Sequence, residues 1–316
     1  MTSSLYHYLT CALTIVLPAL GVSLSQGITS LAAIDAINIQ PKAQGEINRT
    51  FILSMALIET SGILSFILGL KLALMGLHTE SISPSFVHWA ELGIVGALGI
   101  TGCFSGIASC LPAREACLAV ARQPFFTNKI QLLMLITQSL MQTPIILGLI
   151  IAMFIQIQLE TVTTFTDSLR LIASGLSIGL GSIGPLLGIS FLAKEACKAI
   201  GINKNVYSKI LTFTVISAAL IESAIIFSLL VSFVLLKPQP ETFYKGYILI
   251  AASIAMGCGT FGVGISSGRL TAQVCQIIPL KPDLYPELSK SSLFSQILIE
   301  TSAIYALLIA LSLIVF

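Results

Sequence analysis

Long apolar runs separated by short polar connections dominate the chain. A membrane-spanning helix needs about 20 apolar residues, and eight runs of sufficient length can be drawn along the sequence. They cover residues 9–36, 50–77, 90–119, 129–157, 170–200, 208–236, 245–278 and 290–316. Barrel strands would instead alternate apolar and polar residues over about ten positions. The pattern therefore predicts an all-α membrane protein with eight transmembrane helices.

Composition agrees with lipid as the main solvent. Hydrophobic residues make up 55% of the 316 residues, charged residues 9%, and mean hydropathy is +0.97. Soluble domains carry about 25% charged residues, so a soluble enzyme is excluded. The net charge of +2 is too small to indicate a nucleic-acid partner. The seven cysteines and three histidines lack the spacing of transition-metal sites, and neither a P-loop nor a nucleophile–base pair is present, so no enzyme active site is expected in this chain.

The basic residues predict the orientation of the spans. Only Lys71, Arg170, Lys237 and Lys245 lie toward one side of the predicted bilayer. Twelve others lie in or near the connections after spans one, three, five and seven, namely Lys42, Arg49, Arg114, Arg122, Lys129, Lys194, Lys198, Lys204, Lys209, Arg269, Lys281 and Lys290. The positive-inside rule puts these connections in the cytoplasm and both termini outside. We expect a multi-pass protein of the cytoplasmic (inner) membrane.

Four segments of the chain share one register. They read ALIETSGI around Glu59, SLMQTPII around Gln142, ALIESAII around Glu222 and ILIETSAI around Glu300. We call these four central residues the key positions. Neighbouring key positions are separated by nearly the same length of chain each time. The regular spacing indicates an internal repeat.

A second landmark fixes the phase of the repeat. Pro41, Pro124 and Pro282 all stand at the same distance before a key position, and Lys204 stands at that place in the third unit. The repeat predicts four tandem helical hairpins, at 1–78, 79–160, 161–238 and 239–316. The first helix of each hairpin is rich in small residues, as in GLSIGLGSIGPLLG from Gly175 and MGCGTFGVGISSG from Met256. Small residues let backbones approach closely, so we expect these helices to form an inner layer.

The candidate functional residues lie on the second helix of each hairpin. Glu59 lies ten residues beyond Arg49, which puts it about 15 Å deep, near the middle of a hydrocarbon core of about 30 Å. A carboxylate there costs several kcal/mol unless it is protonated or coordinated. Three such acids, Glu59, Glu222 and Glu300, are each followed by a hydroxyl, from Thr60, Ser223 and Thr301 respectively. This recurrence predicts a shared ion-carrying role.

The hairpin resembles the c subunit, or proteolipid, of F-type and V/A-type rotary ATPases. The second unit carries AVARQP ending at Pro124, the first INIQP ending at Pro41, and the fourth ETSAIY from Glu300 to Tyr305. The resemblance implies a membrane rotor ring in an ATPase or ATP synthase, with its ATP-hydrolysing sites on other subunits. The implied partners are other copies of this chain, a stator a-type subunit with an arginine, central stalk subunits at the cytoplasmic loops, and membrane lipid.

By the same resemblance, Glu59, Glu222 and Glu300 would load and release the ion. Gln142 stands at the equivalent place in the second hairpin and cannot titrate, so that hairpin is expected to carry none. The transported ion would be H⁺ or Na⁺, and no other cofactor is expected.

Sodium-binding members of the family resemble one another in three accessory groups. These are a glutamine on the first helix of the hairpin, a hydroxyl just after the carboxylate and a tyrosine five residues beyond it. A candidate Na⁺ site comprises Gln26, Glu59 and Thr60, with Leu64 in place of the tyrosine. The remaining accessory candidates are Gln142, Ser223, Ser267, Thr301 and Tyr305, whereas Ile189 and Phe227 replace both polar groups around Glu222. No unit is complete, which favours protons, with sodium as the alternative.

An ion-coupled secondary transporter built from hairpin repeats is the alternative from a different class. A structural pore with water-lining acids is a third. The repeats are parallel rather than inverted, which argues against the transporter.

Overall fold

The computed structural model describes residues 2–76, 85–238 and 244–315. Their α-helices are α1 (Thr2–Ile39), α2 (Gln44–Gly76), α3 (Ser85–Ile94), α4 (Thr101–Arg122), α5 (Thr127–Gln158), α6 (Phe165–Ile202), α7 (Tyr207–Leu235), α8 (Lys245–Ile277) and α9 (Tyr285–Val315). The π-helical segment Val95–Ile100 joins α3 and α4 into one rod. Eight helical rods are thus long and apolar enough to cross a membrane. The predicted all-α class and the eight spans are confirmed.

Each predicted hairpin turns through the same tight loop. Short 3-10 helices occupy Pro41–Ala43, Pro124–Phe126, Lys204–Val206 and Pro282–Leu284. The residue before each has φ between −135° and −140°. In the third loop, which lacks the proline, Asn203 Oδ1 accepts a hydrogen bond from the Asn205 amide at 3.0 Å. This local bond supplies the turn constraint that proline provides elsewhere.

The predicted hairpin boundary at 78/79 lies outside the described residues, and the boundary at 238/239 falls where the described range 85–238 ends. The boundary at 160/161 falls within the 3-10 helix Leu159–Thr161, between α5 and α6.

The helices form two layers. In the inner layer, α1 packs on α4, α4 on α6, and α6 on α8. In the outer layer, α2 packs on α5, α5 on α7, and α7 on α9, and each outer helix also contacts the inner helix of its own hairpin. The α1–α2 hairpin therefore stands at one end of the double row and the α8–α9 hairpin at the other.

Glycine makes the inner layer tight. A Cβ added at Gly188 would overlap the carbonyl of Gly264, and one at Gly264 would overlap the backbone of Gly184 and Pro185. The backbones of α6 and α8 are in direct contact there, as the small-residue pattern predicts. The π-helical segment was not predicted. It lies where Gly96 meets the backbone of Gly175, a contact that likewise leaves no room for a side chain.

Candidate ion-carrying site

The four key positions occupy one level of the outer layer. Glu59, Gln142, Glu222 and Glu300 lie on α2, α5, α7 and α9, and each stands equally far along the chain from the first residue of its helix. At a rise of about 1.5 Å per residue, each lies about 22 Å from the loop end of the helix. The shared turn and the equal spacing place the four side chains in register along the row.

Gln142 is buried, with 5% of its surface exposed, and both ends of its amide are hydrogen-bonded. Its Nε2 donates to Ser109 Oγ at 3.2 Å. Ser105 shares its hydroxyl hydrogen between Gln142 Oε1, at 3.1 Å, and the Met141 carbonyl, at 2.7 Å. Both serines lie on α4, so the inner helix of the second hairpin supplies an uncharged partner for each end of the amide.

Glu222 and Glu300 are half-buried and each faces a hydroxyl from the preceding hairpin. The Thr143 side chain lies near the Glu222 carboxyl and the Ser223 side chain near the Glu300 carboxyl, and Glu300 Oε1 has no hydrogen-bond partner among the described residues. In both cases the hydroxyl follows the key position of one outer helix and serves the key position of the next. Two neighbouring hairpins thus build one carboxyl site.

Ser223 also determines which form of Glu300 it can satisfy. Its hydroxyl donates to the Leu220 carbonyl at 2.7 Å. A hydroxyl has one hydrogen, so in this arrangement Ser223 Oγ is left to accept. A protonated Glu300 carboxyl is a group that could donate to that oxygen.

Glu59 is exposed, and among the described helices α2 packs on α1, α4 and α5. At the opposite end of the row, the Thr301 hydroxyl donates to the Leu298 carbonyl of its own helix at 2.7 Å. Thr60 likewise donates to the Ala56 carbonyl at 3.1 Å. The two ends of the row therefore carry a carboxyl on α2 and a hydroxyl on α9.

The accessory residues suggested for sodium are distributed as follows. Gln26 on α1 is half-buried, and no hydrogen bond joins its side chain to Glu59 within the described part of the chain. Ser267 is buried and its Oγ has no partner among the described residues. Tyr305 is 65% exposed and points away from the packed interior. Ile189, at the glutamine position of the third hairpin, is fully buried.

Sequence reasoning missed three residues of these sites, Ser105, Ser109 and Thr143. Ser109 stands as far before Gln142 in the chain as Gln26 stands before Glu59. Applying that spacing to the second hairpin would have found it. Thr143 follows Gln142 as Thr60 follows Glu59, but its contact with the next hairpin requires the packing of α5 on α7.

Comparison with known proteins agrees with four tandem hairpins of one kind. A family model for the C subunit of ATP synthase matches residues 9–72, 92–155, 172–235 and 250–313. The ATP synthase c subunit of Dehalococcoides mccartyi is 41% identical over 70 residues, which are 22% of this chain and 92% of that protein. Its counterpart from Chloroflexus aurantiacus is 36% identical over 69 residues, or 22% of this chain and 91% of that protein. The K subunit of the A-type ATP synthase of Methanocaldococcus jannaschii is 28% identical over 229 residues, or 70% of this chain and 94% of that protein.

The fold and the site define an integral membrane protein made of tandem two-helix hairpins, with carboxyl groups at one level of its outer helices. The chain belongs to the ATP synthase C subunit family, with four consecutive copies of the family's domain. It is thereby a component of an ATP synthase rotor ring, and the family resemblance drawn from the sequence is confirmed.

Proposed function

We propose that this chain carries ions through a rotor ring by reversible loading of Glu59, Glu222 and Glu300, and that its second hairpin carries none. The observation that supports this most directly is the contrast at one level of the outer layer. Glu222 and Glu300 face a single hydroxyl each, whereas Gln142 is enclosed by two serines that use both ends of its amide. A neutral amide has no ion to exchange.

We propose protons as the ion. A sodium ion needs several oxygen ligands to replace its water, whereas a proton needs the carboxyl and one acceptor. Ser223 provides such an acceptor, because its own hydrogen is donated to Leu220. The oxygen-rich set expected for sodium is not assembled around Glu222, where buried Ile189 stands at the glutamine position.

The repeated contact also suggests how copies join. Within the chain, the hydroxyl after one key position serves the carboxyl of the next hairpin, as in Thr143 with Glu222 and Ser223 with Glu300. Continued across the end of the row, Thr301 of one copy would serve Glu59 of the next. The α8–α9 edge would then pack on the α1–α2 edge of the neighbouring copy, and the ring would close with every carboxyl site built alike.

Further partners follow from the same reading. The four tight loops share one end of the molecule with most of the basic residues, and Phe125 in the second loop is fully exposed. We propose that this end is cytoplasmic and contacts central stalk subunits. A stator a-type subunit with an arginine would release each proton as its carboxyl leaves lipid.

The missing carboxyl lowers the number of ions that such a ring carries per revolution. Three ions per chain instead of four lowers the ion free energy exchanged per turn, for a fixed ATP turnover per revolution. Such a ring suits ATP-driven pumping against a steep gradient, and ATP synthesis would need a larger driving force.

Carbodiimide labelling of purified membranes tests the proposal. The reagent attacks protonated carboxyls in apolar surroundings, and peptide mass spectrometry locates the modified residues. We expect modification at Glu59, Glu222 and Glu300, decreasing as pH rises and unaffected by sodium. Protection by sodium at constant pH would replace the proton with sodium as the ion. Absence of labelling at all three residues would reject ion loading at these acids.

A further inference from the structure

A cluster of three ligand-forming side chains lies at the end of the inner layer opposite the tight loops. It consists of His7 on α1 and of His88 and Glu91 on α3. One candidate ligand atom from each residue lies within 4.8 Å of the other two. His7 and Glu91 lie far apart in the sequence, so the packing of the first two inner helices, and not local spacing, creates the cluster.

The distances between the ligand atoms are close to those around a metal ion with tetrahedral coordination. His7 Nδ1 lies 2.8 Å from Glu91 Oε2, and His88 Nδ1 lies 3.9 Å from Glu91 Oε1. Bonds of about 2.0–2.1 Å to nitrogen and oxygen in a tetrahedral zinc site put neighbouring ligand atoms about 3.4 Å apart. The two observed distances lie on either side of that value, and the third pair, His7 and His88, is held within 4.8 Å. Metal binding would replace the hydrogen between His7 Nδ1 and Glu91 Oε2 and draw the three side chains together to the zinc distance.

The surroundings hold the ligands in place. His7 is 7% and Glu91 6% exposed. The second ring nitrogen of His7, Nε2, lies 3.7 Å from Cys11 Sγ, one helical turn further along α1. A partner on the second nitrogen fixes the orientation of a histidine ring, and loss of the hydrogen between His7 Nδ1 and Glu91 would make the first nitrogen available to a metal. Close by, the rings of Tyr6 and Trp89 pack at 4.7 Å, as aromatic residues do at a membrane–water boundary.

We propose that His7, His88 and Glu91 form a binding site for a divalent transition metal, with zinc as the expected ion. Two imidazoles and one carboxylate are a donor set that zinc uses, with a fourth position left for water. The metal would join α1 of the first hairpin to α3 of the second, at the end of the inner layer that the tight loops do not hold together. The proposal does not depend on which ion the outer carboxyls carry.

The experiment uses the full-length chain in its assembled ring, stripped with a chelator and dialysed against zinc. The zinc content of the protein is measured by inductively coupled plasma mass spectrometry. The main variant is His88→Gln, because it leaves the hydrogen bond between His7 and Glu91 in place and should assemble normally. The matched control is Glu160→Gln, which removes an exposed carboxylate from the 3-10 helix Leu159–Thr161, outside the cluster.

We expect about one zinc per chain in the unaltered protein and in the control, and at least about ten-fold weaker binding in His88→Gln. Cobalt substitution gives a second measurement, since tetrahedral Co²⁺ with this donor set absorbs visible light and the variant should lose that absorption. Equal zinc binding by His88→Gln and the unaltered protein would overturn the proposal. So would the absence of stoichiometric zinc at a ten-fold excess of the metal over protein.

Discussion

The side-chain amide of Gln142 donates to the hydroxyl of Ser109 at 3.2 Å. Ser109 in turn donates to the Ser105 carbonyl at 2.8 Å, and Ser105 donates to Gln142 Oε1 at 3.1 Å. This chain of bonds starts and ends on one amide. A glutamine at the key position is therefore held by the inner helix of its own hairpin.

Gln142→Glu should turn the second hairpin into a fourth ion carrier. A protonated carboxyl has the same shape and the same donor and acceptor as the amide, so Ser109 can accept from it and Ser105 can donate to it. The number of titratable key positions per chain rises from three to four. We expect the ion-to-ATP ratio of the reconstituted enzyme to rise by about a third, by the unit counting that the repeat permits.

The matched control is Gln138→Glu, which adds a carboxyl one helical turn away at a buried position that is not a key position. It should leave the ratio unchanged where the enzyme assembles. An unchanged ratio for Gln142→Glu in an assembled, active enzyme would mean that the serines keep the new proton from exchanging.

The repeat made much of the architecture predictable from the sequence. Helix number, hairpin order and the equal level of the four key positions follow from the apolar runs and from the recurring Glu59 register, because a span has a fixed minimum length and a helix a fixed rise. The loop at Lys204 was harder to anticipate, since Asn203 replaces a proline constraint with a hydrogen bond. The π-helical segment lies at a backbone contact between Gly96 and Gly175 in different hairpins, which a single sequence does not show.

Ser105 and Ser109 contact Gln142 within one hairpin, whereas the other parts of the site that remained hidden depend on contacts between hairpins. Thr143 reaches Glu222, and Ser223 reaches Glu300, only because adjacent outer helices pack in register. The pairing of His7 with Glu91 likewise needs α1 beside α3. A single sequence gives the contents of each helix, but it does not give the rotation of a helix about its own axis, which decides these contacts.

Ser223→Ala should affect Glu300 and spare Glu59. Ser223 is placed to accept a hydrogen bond from protonated Glu300, and loss of such a bond costs about 1 kcal/mol, or about a five-fold change in an equilibrium. We expect carbodiimide labelling of Glu300 near neutral pH to fall by about that factor. Glu59 in the same chain provides the internal reference.

Thr301→Ala provides the reciprocal test. Thr301 is proposed to serve Glu59 of the next copy, so this variant should lower labelling of Glu59 and leave Glu300 unchanged. Peptide mass spectrometry reads both residues in one sample. If both variants change the same carboxyl, or if neither changes any, the hydroxyls do not serve the carboxyl of the following hairpin.

The contact between copies can be tested by cross-linking. Inside the chain, Gln131 Nε2 donates to Thr50 Oγ1 at 2.9 Å and joins α5 to α2. These residues lie eleven and nine positions before their key residues, and the equivalent pair across the chain junction is Asn48 with Ser291. A chain with Asn48→Cys and Ser291→Cys should give cross-linked dimers and larger species with a short thiol-reactive linker, visible on denaturing gels.

Cys258, which is exposed, is changed to serine in all these proteins. The pair Thr50→Cys with Gln131→Cys is the positive control and should link within one chain, without a change in apparent mass beyond altered mobility. Ser291→Cys alone should give no ladder. A ladder from Ser291→Cys alone, or none from the full pair when the positive control reacts, would contradict the proposed junction.

Substitutions at two glycines of α8 can distinguish an effect on folding of the chain from an effect on assembly of the ring. Gly184 on α6 packs on the backbone of α8, where an added Cβ would overlap Phe261. Gly262 has the same register in the next hairpin, since it precedes Glu300 as Gly184 precedes Glu222. An added Cβ at Gly262 meets no atom within 4 Å. We expect Gly262→Val to leave the isolated chain folded but to reduce ring yield, because the next copy's α1 should occupy that space.

Gly264→Val is the contrasting variant, two residues away on the same helix. A Cβ at Gly264 already overlaps the backbone of Gly184 within the chain, so this change should destabilise the chain itself, by about 1–3 kcal/mol or more, as overpacking does. Melting temperature of the dissociated chain and ring yield after reconstitution separate the two effects. If Gly262→Val lowers the melting temperature as much as Gly264→Val, the α8 edge is already packed within one chain. Close backbone packing at a glycine tolerates no branched side chain. If Gly262→Val leaves the ring yield unchanged, the α8 edge therefore does not pack against a second copy.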